Sequence, residues 1–321
     1  MPSYYSHQPT NMTHPLALAL ESLDGLSIGD AFGQCFFLIA DPAAAISSRQ
    51  LPEAPWFFTD DTEMSLSVLA SLAKFGAINQ TFLAESIAQH YDYNRAYGPS
   101  MHRVLGRIRA GEAWQQVAAS SFEGQGSWGN GAAMRAAPIG VYFADDTAMV
   151  VQQAALSAEI THAHPEGIAG AIAIALAAAF AQRARNTAQR PSQQEFLHSI
   201  IELLPSSEVR SRLLRASEIA RPTSLSFAIS LLGNGSQMSA QDTVPFALWC
   251  CSLYLDDFQE ALWLAVSAGG DRDTLCAMVG GVVAAYVGMA GIPETWRQRR
   301  EVLPNWHRLD TLLAVSDGLE H

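Results

Sequence analysis

Two short acidic segments, far apart in the chain, hold the residue types that bind hard metal ions. The first is Thr59-Asp60-Asp61-Thr62; the second, Asp271-Arg272-Asp273-Thr274, follows Gly269-Gly270. Each stands at the mouth of a helix-like stretch, where unpaired backbone N–H groups and the positive end of the helix dipole favour negative charge. Asp and Thr are good N-caps, so capping is the plainer account of either segment alone. Capping uses one acceptor oxygen per helix, however, and each segment offers two carboxylates plus a hydroxyl. Asp271 and Asp273 are two apart and point to a common side on an extended or turning backbone. Gly269-Gly270 frees the chain to make that turn. If the two segments meet, four like charges repel unless cations lie between them. The donors are all oxygen, with no Cys or His, a set that selects Mg²⁺ or Mn²⁺ over zinc or copper. Two such ions, about 3.5–4 Å apart, suit orienting a diol and activating a water.

A glycine-rich segment, Gly126-Ser127-Trp128-Gly129-Asn130-Gly131-Ala132-Ala133-Met134-Arg135, reads as a loop entering a helix. Its glycines admit an anion close to backbone N–H groups, and a helix start favours phosphate. An ordinary tight turn is the alternative. The span from Gly124 to Gly129 satisfies GxGxxG, but no strand precedes it and no βαβ pattern surrounds it, so a Rossmann reading fails. A P-loop fails for want of Gly-Lys-Ser/Thr. Thr161-His162-Ala163-His164-Pro165 places two histidines before an Ala-rich stretch. No third nitrogen or sulfur ligand is near enough to suggest zinc. On its own the segment is loop and cap material; beside a substrate, one His would be a hydrogen-bonding group and the other structural.

The elements that must position these segments read as helices throughout. Thr62 to Phe75 puts Met64, Val68, Leu69 and Leu72 on one helical face. Phe82 to Tyr91, Phe196 to Leu204, Val209 to Ala220 and Phe258 to Ala268 follow the same period. Leu275 to Gly291 is rich in Gly and Ala, which permits close helix–helix approach. Breaks fall at Asp41-Pro42, Gly98-Pro99, Gly233-Asn234-Gly235 and Ile292-Pro293. The polar stretch 182–194 is a connection and not a domain boundary. The expected fold is all-α: a single compact orthogonal helical domain over residues 15–321, with a flexible arm over residues 1–14.

Composition narrows the function. Of 321 residues, 49% are hydrophobic and 16% charged, enough for a large core. The formal net charge is −12, and no basic run is present, which argues against nucleic acid as a partner. The four cysteines, Cys35, Cys250, Cys251 and Cys276, form no CxxC pair and read as buried thiols of a reducing compartment. The N-terminal residues show no signal-peptide pattern. The apolar run from Ile168 to Ala181 is shorter than the roughly 20 residues that span a bilayer. A cytoplasmic protein without membrane contact is expected.

Taken together and in order, these motifs resemble the ADP-ribosylglycohydrolase family. Gly29-Asp30-Ala31-Phe32-Gly33 looks like its N-terminal GDAxG, and Thr59-Asp60-Asp61-Thr62 like its TDDT. Gly129 to Arg135 is similar to its GNGAAMR loop, Thr161-His162 to its Thr-His pair, and Gly270 to Thr274 to its GDxDT. The resemblance implies an all-α fold with two Mg²⁺ or Mn²⁺ ions. By it, Thr59, Asp60, Asp61, Asp271, Asp273 and Thr274 are the metal ligands. Gly126, Ser127, Trp128, Gly129, Asn130 and His162 hold the diphosphate and distal ribose. Asp60 and Asp61 are also the catalytic carboxylates. One departure is visible: Phe37 stands where several members carry a Glu near the scissile bond. That leans toward the arginine-linked, dinitrogenase-reductase-activating type.

The implied reaction is hydrolysis of an N-glycosidic bond between ADP-ribose and a modified protein side chain, reversing the modification. Its transition state has oxocarbenium character. A second expectation is an immunity protein that also docks on an ADP-ribosyltransferase toxin. The arm at residues 1–14, with Tyr4, Tyr5 and His7, would be its anchor. A third, binding ADP-ribose without cleavage, sits poorly with a full set of six ligands.

Overall fold

Helices build the molecule, as the three- and four-residue periodicities predict. The computed structural model describes residues 15–185, 187, 189–219 and 222–306; the arm at residues 1–14 lies outside them. In chain order the first helices are α1 (Pro15–Leu38), α2 (Pro42–Ser47), α3 (Asp60–Phe75), α4 (Gln80–His90), α5 (Pro99–Arg109), α6 (Trp114–Ala119), α7 (Ala137–Tyr142) and α8 (Thr147–Glu159). They are followed by α9 (Pro165–Ala184), α10 (Gln193–Ile201), α11 (Glu208–Glu218), α12 (Leu225–Leu232), α13 (Ala240–Leu253), α14 (Phe258–Ser267), α15 (Arg272–Val287) and α16 (Glu294–Arg297). Among the described residues only two isolated β-bridges occur, Trp56 with Arg300 and Gly129 with Ser239.

Local chemistry sets most helix starts. Asn79, Asp146, Ser207, Ser224 and Asp257 each accept a backbone N–H three residues on, and Ser192 with Glu195 forms a reciprocal capping box. The stretch expected as one helix from Leu275 to Gly291 ends instead at Val287. Gly288 takes a φ of 62° there, and a short 3₁₀ turn, Met289–Gly291, follows. The apolar run at 168–181 becomes the middle of α9. That helix is long and apolar enough to cross a bilayer by length and composition, but here it packs among α7, α8, α13 and α15 as the core helix.

The most extensive pairing in the fold is α1 on α15, and it is antiparallel. Gly25, Gly29 and Gly33 form a four-residue stripe on α1 that lies on the backbone of α15. A Cβ at Gly29 would fall 2.0 Å from the Cys276 carbonyl oxygen, and one at Gly33 would fall 2.4 Å from that of Arg272. An aromatic cluster locks the C-terminal half of α1: Phe32 has its ring centroid 4.6 Å from that of Trp296, 5.0 Å from Trp263 and 5.5 Å from Trp56.

A methyl group on that stripe forces the helices apart, because the obstructing atoms are backbone. Gly29→Ala is expected to lose at least about 3 kcal/mol in urea unfolding, the range of severe overpacking. Gly106→Ala, inside α5 with nothing within 4 Å of its would-be Cβ, is the control. It should gain up to about 1 kcal/mol from helix propensity. Equal effects of the two changes would contradict the role given to the stripe.

Candidate active site

The two acidic segments meet. Asp61 Oδ2 lies 2.9 Å from Thr59 Oγ1 and 3.5 Å from Thr274 Oγ1, the latter a contact between residues 213 apart in the chain. Neither N-cap residue caps its helix: Thr59 precedes α3 and Asp271 precedes α15, and neither side chain makes a cap hydrogen bond. Asp273 Oδ1 does accept the Thr274 N–H at 3.0 Å in the first turn of α15. Capping therefore accounts for one carboxylate and leaves the others to another task.

Asp30 of α1 organises the first segment. Its buried carboxylate accepts from Thr59 N–H (2.9 Å), Thr59 Oγ1 (2.8 Å), Thr62 N–H (3.1 Å) and Thr62 Oγ1 (2.5 Å). The sequence reading quoted Asp30 within GDAxG but gave it no task. The signal was present: a lone acid in an apolar helix has to find donors. From the other side, Asp60 N–H donates to the Arg95 carbonyl (2.8 Å). The Arg95 guanidinium reaches the Phe58 carbonyl (2.8 Å) and Glu301 (2.5 Å). Glu301 Oε1 also accepts the Phe58 N–H at 2.9 Å, so the chain entering Thr59 is held by residues from three distant parts of the sequence.

The electrostatics are those of an anionic hole. Burial raises Asp30 to about 6, against the four bonds from Thr59 and Thr62, which lower it. Burial, then Asp30 and Asp271, pushes Asp60 well above the ordinary carboxylate range. Asp61 and Asp273 rise for the same reason, burial first and neighbouring carboxylates second. Burial also raises Asp271, although hydrogen bonds, including that from Asn130, pull it down. Asp61 Oδ1 is buried and has no hydrogen-bond partner. Among the described residues no three His, Cys, Asp or Glu side chains already gather round one point; the donor set mixes carboxylates with the Thr59 and Thr274 hydroxyls. An orphaned carboxylate oxygen within an all-oxygen, strongly anionic cluster fits a hard divalent cation. Thr59, Asp60, Asp61, Asp271, Asp273 and Thr274 are the residues that would hold it.

A cavity of about 330 Å³ opens over this cluster. Asp60, Asp271, Asp273 and Thr274 line its floor, and Ser127, Trp128, Gly129, Asn130 and His162 line a wall. Thr59 and Asp61 sit deeper and do not line it. Gly126 is not a wall residue either. With φ of 78° it turns the chain where a Cβ would strike the His164 nitrogen at 2.7 Å, so its part is to shape the loop. The loop does not open a long helix, contrary to the sequence reading. Asn130–Ala132 forms a single 3₁₀ turn and α7 begins only at Ala137. Pro138 has no N–H to continue an α-helix through this stretch. No long helix therefore starts at this loop to lend an anion its dipole.

The two histidines divide as the sequence suggests. His164 caps α9, accepting from Glu166 N–H at 3.1 Å. His162 lies flat against the glycine loop: a Cβ at Gly131 would meet its Cε1 at 2.8 Å. Buried Arg135 donates to Thr161 Oγ1 (2.9 Å), which contacts His162 Nδ1 (2.8 Å). That oxygen keeps a second lone pair beside the one facing Arg135, so it can meet Nδ1 in either tautomer. Burial, then the Arg135 charge, lowers His162 to about 3.

Two outcomes check this geometry. Between pH 5 and 8 the His162 ring should stay neutral, because a base with a depressed pKa takes up its proton only below that value. Long-range ¹H–¹⁵N correlation spectra read this directly, and a titration step near 6.5 would contradict it. Asp30→Asn replaces an acceptor with an NH₂ facing the fixed N–H donors of Thr59 and Thr62. It should lower stability by about 1–3 kcal/mol in chemical unfolding, and wild-type stability would remove Asp30 from this role.

The comparisons with known proteins bear on the family and the fold. A model of the ADP-ribosylglycohydrolase family matches residues 12–319. The ADP-ribosylhydrolase ARH3 of Mus musculus is 30% identical over 311 residues, covering 88% of this chain and 82% of its own length. ARH3 of Homo sapiens is 31% identical over 275 residues, covering 76% of this chain and 75% of its own. A solved ADP-ribosylglycohydrolase-related protein complex has a chain with a TM-score of 0.63 at 22% identity. The match covers 94% of this chain and 97% of that one and is a likeness of fold. With its five motifs in order and two of them joined at Asp61, this chain belongs to the ADP-ribosylglycohydrolase family.

Proposed function

We propose that this protein hydrolyses the glycosidic bond between ADP-ribose and a modified protein side chain, using a pair of Mg²⁺ or Mn²⁺ ions. The observation that carries the reading is the junction of the two acidic motifs, with Asp61 Oδ1 left without a donor, at the base of a cleft walled by glycine backbone. The relatives named as ADP-ribosylhydrolases support the hydrolytic part. When bound, the ions supply positive charge among four carboxylates and an anchor for the vicinal hydroxyls of the distal ribose.

The chain's own residues do the rest. Ser127 and Gly129 border the cleft and meet the diphosphate, while Asn130 borders it beside the floor. His162 lines the cleft there without carrying charge. Trp128 and Phe122, ring centroids 5.0 Å apart, both line the cleft and give an apolar face for a flat base. As the glycosidic bond breaks, positive charge builds on the ribose, and the carboxylates of Asp60 and Asp61 stabilise it. Asp60, which faces the cleft, also takes the proton of the attacking water.

The arginine linkage is the reading supported by the carboxyls that line the cleft. Its lining carboxyls are Asp60, Asp271 and Asp273, all members of the ion-binding set. Phe37 is 48% exposed, with the Arg272 guanidinium 5.6 Å from its ring centroid, and it supplies no proton. A leaving group that already carries its proton at neutral pH suits such a site. Arginine's guanidine is one.

Release of free ADP-ribose from an arginine-modified protein is the test. Activity should be lost in EDTA and return with Mg²⁺ or Mn²⁺, and Asp60→Asn or Asp61→Asn should lower kcat by about 10²–10⁴-fold. Undiminished turnover in EDTA would sink the metal reading. Serine-linked ADP-ribose as parallel substrate tests the linkage: faster release from serine than from arginine would overturn that part alone.

A further inference from the structure

Thr243 lies on α13, outside every motif discussed above, and is fully buried. Its hydroxyl donates to the Ser239 carbonyl at 2.9 Å. A carbonyl oxygen can only accept, so the single Thr243 proton is committed and its lone pairs remain for a donor. That donor is Asn130 Nδ2, at 3.0 Å. The same nitrogen lies 2.7 Å from Asp271 Oδ2. Two acceptors thus take the two protons of one amide. Turned the other way, Asn130 would set its carbonyl oxygen against a hydroxyl lone pair and a carboxylate.

We infer that Thr243 is a positioning residue for the ion-binding floor: it fixes which way round the Asn130 amide stands, and through it the Asp271 carboxylate. The inference rests on the metal reading under Proposed function and adds a residue to it. The surroundings reinforce the geometry. Asp271 N–H donates to the Asn234 carbonyl at 3.2 Å. A Cβ at Gly235 would fall 2.5 Å from Asp271 Cβ and 3.3 Å from Thr243 Oγ1, so the 233–238 turn closes the space where a water would have to substitute. A second consequence concerns the ligand. Asn130 lines the cleft, and no donor among the described residues reaches its Oδ1. With the amide so oriented, Asn130 offers an acceptor to the cleft, which suits a ribose hydroxyl as donor.

Thr243→Val keeps the shape and removes the acceptor; Thr243→Ser keeps both the acceptor and the proton. Mn²⁺ titration of the full-length protein, followed by EPR of the free ion, reads the effect without turnover. Outer partners of metal ligands commonly contribute 10–100-fold to affinity. T243V is expected to bind Mn²⁺ about 10–100-fold more weakly than wild type, and T243S within about threefold of it. Thermal midpoints measured in EDTA confirm that both variants fold. Wild-type affinity in T243V, or equal weakening in T243S and T243V, overturns the inference while leaving the metal reading in place. No Mn²⁺ uptake by the wild-type protein overturns the metal reading itself, and this inference with it.

Discussion

The backbone contact between α1 and α15 is the constraint from which the site follows. Helices that touch through glycine Cα atoms approach more closely than side chains otherwise allow. Here the contact runs from Gly25 to Gly33 on one helix and from Ala284 to Arg272 on the other. It ends at the acidic segment: a Cβ on Gly33 would also lie 2.7 Å from the Asp273 Cα. Asp30, next to Gly29, is thereby carried underneath Thr59 and Thr62. One antiparallel pairing thus sets the distance between Asp61 and Thr274, which belong to segments more than 200 residues apart. The geometry of the site is inherited from helix packing, with the loops filling in between.

That geometry concentrates charge at some expense of stability. Five carboxylates, counting Asp30, lie in one desolvated region, and burial raises all of them. Burying an unpaired charge is among the costliest things a fold does. Hydrogen bonds offset part of the penalty at Asp30 and Asp271, each of which has donors. Asp61 Oδ1 has none. A fold selected for stability alone would not hold such an oxygen in such company. The divalent ions proposed above would draw on that same repulsion, gaining affinity from what burdens the chain without them.

Much of this was legible in the sequence because it is written in local patterns. The helix periods, the Pro and Gly breaks, and the two acidic segments each depend on residues near one another. Thr59, Asp60, Asp61, Asp271, Asp273 and Thr274 could be picked out by type alone. What spacing cannot reveal is the partner of a residue. Asp30 was visible as an odd acid in an apolar helix, but its four donors lie some thirty residues on. Thr243 carries no signal at all in α13, where a Thr reads as one more small, buried residue. Gly126 and Gly129 look alike in the loop, yet the first turns the chain and the second makes room for the His162 ring. The 3₁₀ turn at Asn130–Ala132 was misread as the start of a helix, because the breaking Pro138 stands eight residues beyond Asn130. The arm at residues 1–14, expected as a partner anchor, lies outside the described residues.

The rim of the cleft obeys a different rule from its floor. The floor is tied into its surroundings: Asp271 accepts from Asn130 Nδ2 at 2.7 Å and Asp273 from Thr274 N–H at 3.0 Å. At the rim, Ala96, Phe122 and Met238 all have positive φ, at 59°, 50° and 50°, and all three line the cavity. Among the described residues only Arg49 and Glu123 share that trait without glycine's freedom. Such backbone costs about 1–3 kcal/mol per residue and survives where the surroundings insist on it. Phe122 and Met238 are also substantially exposed, at 44% and 59%. Strain and exposed apolar surface therefore coincide at the mouth of the cavity. Both are features that stability disfavours and that a bound ligand, covering the side chains and filling the turn, would offset. A rigid, ion-ready floor beneath a strained, apolar mouth is the division expected when one end of a substrate must be held for reaction and the other must only be gripped.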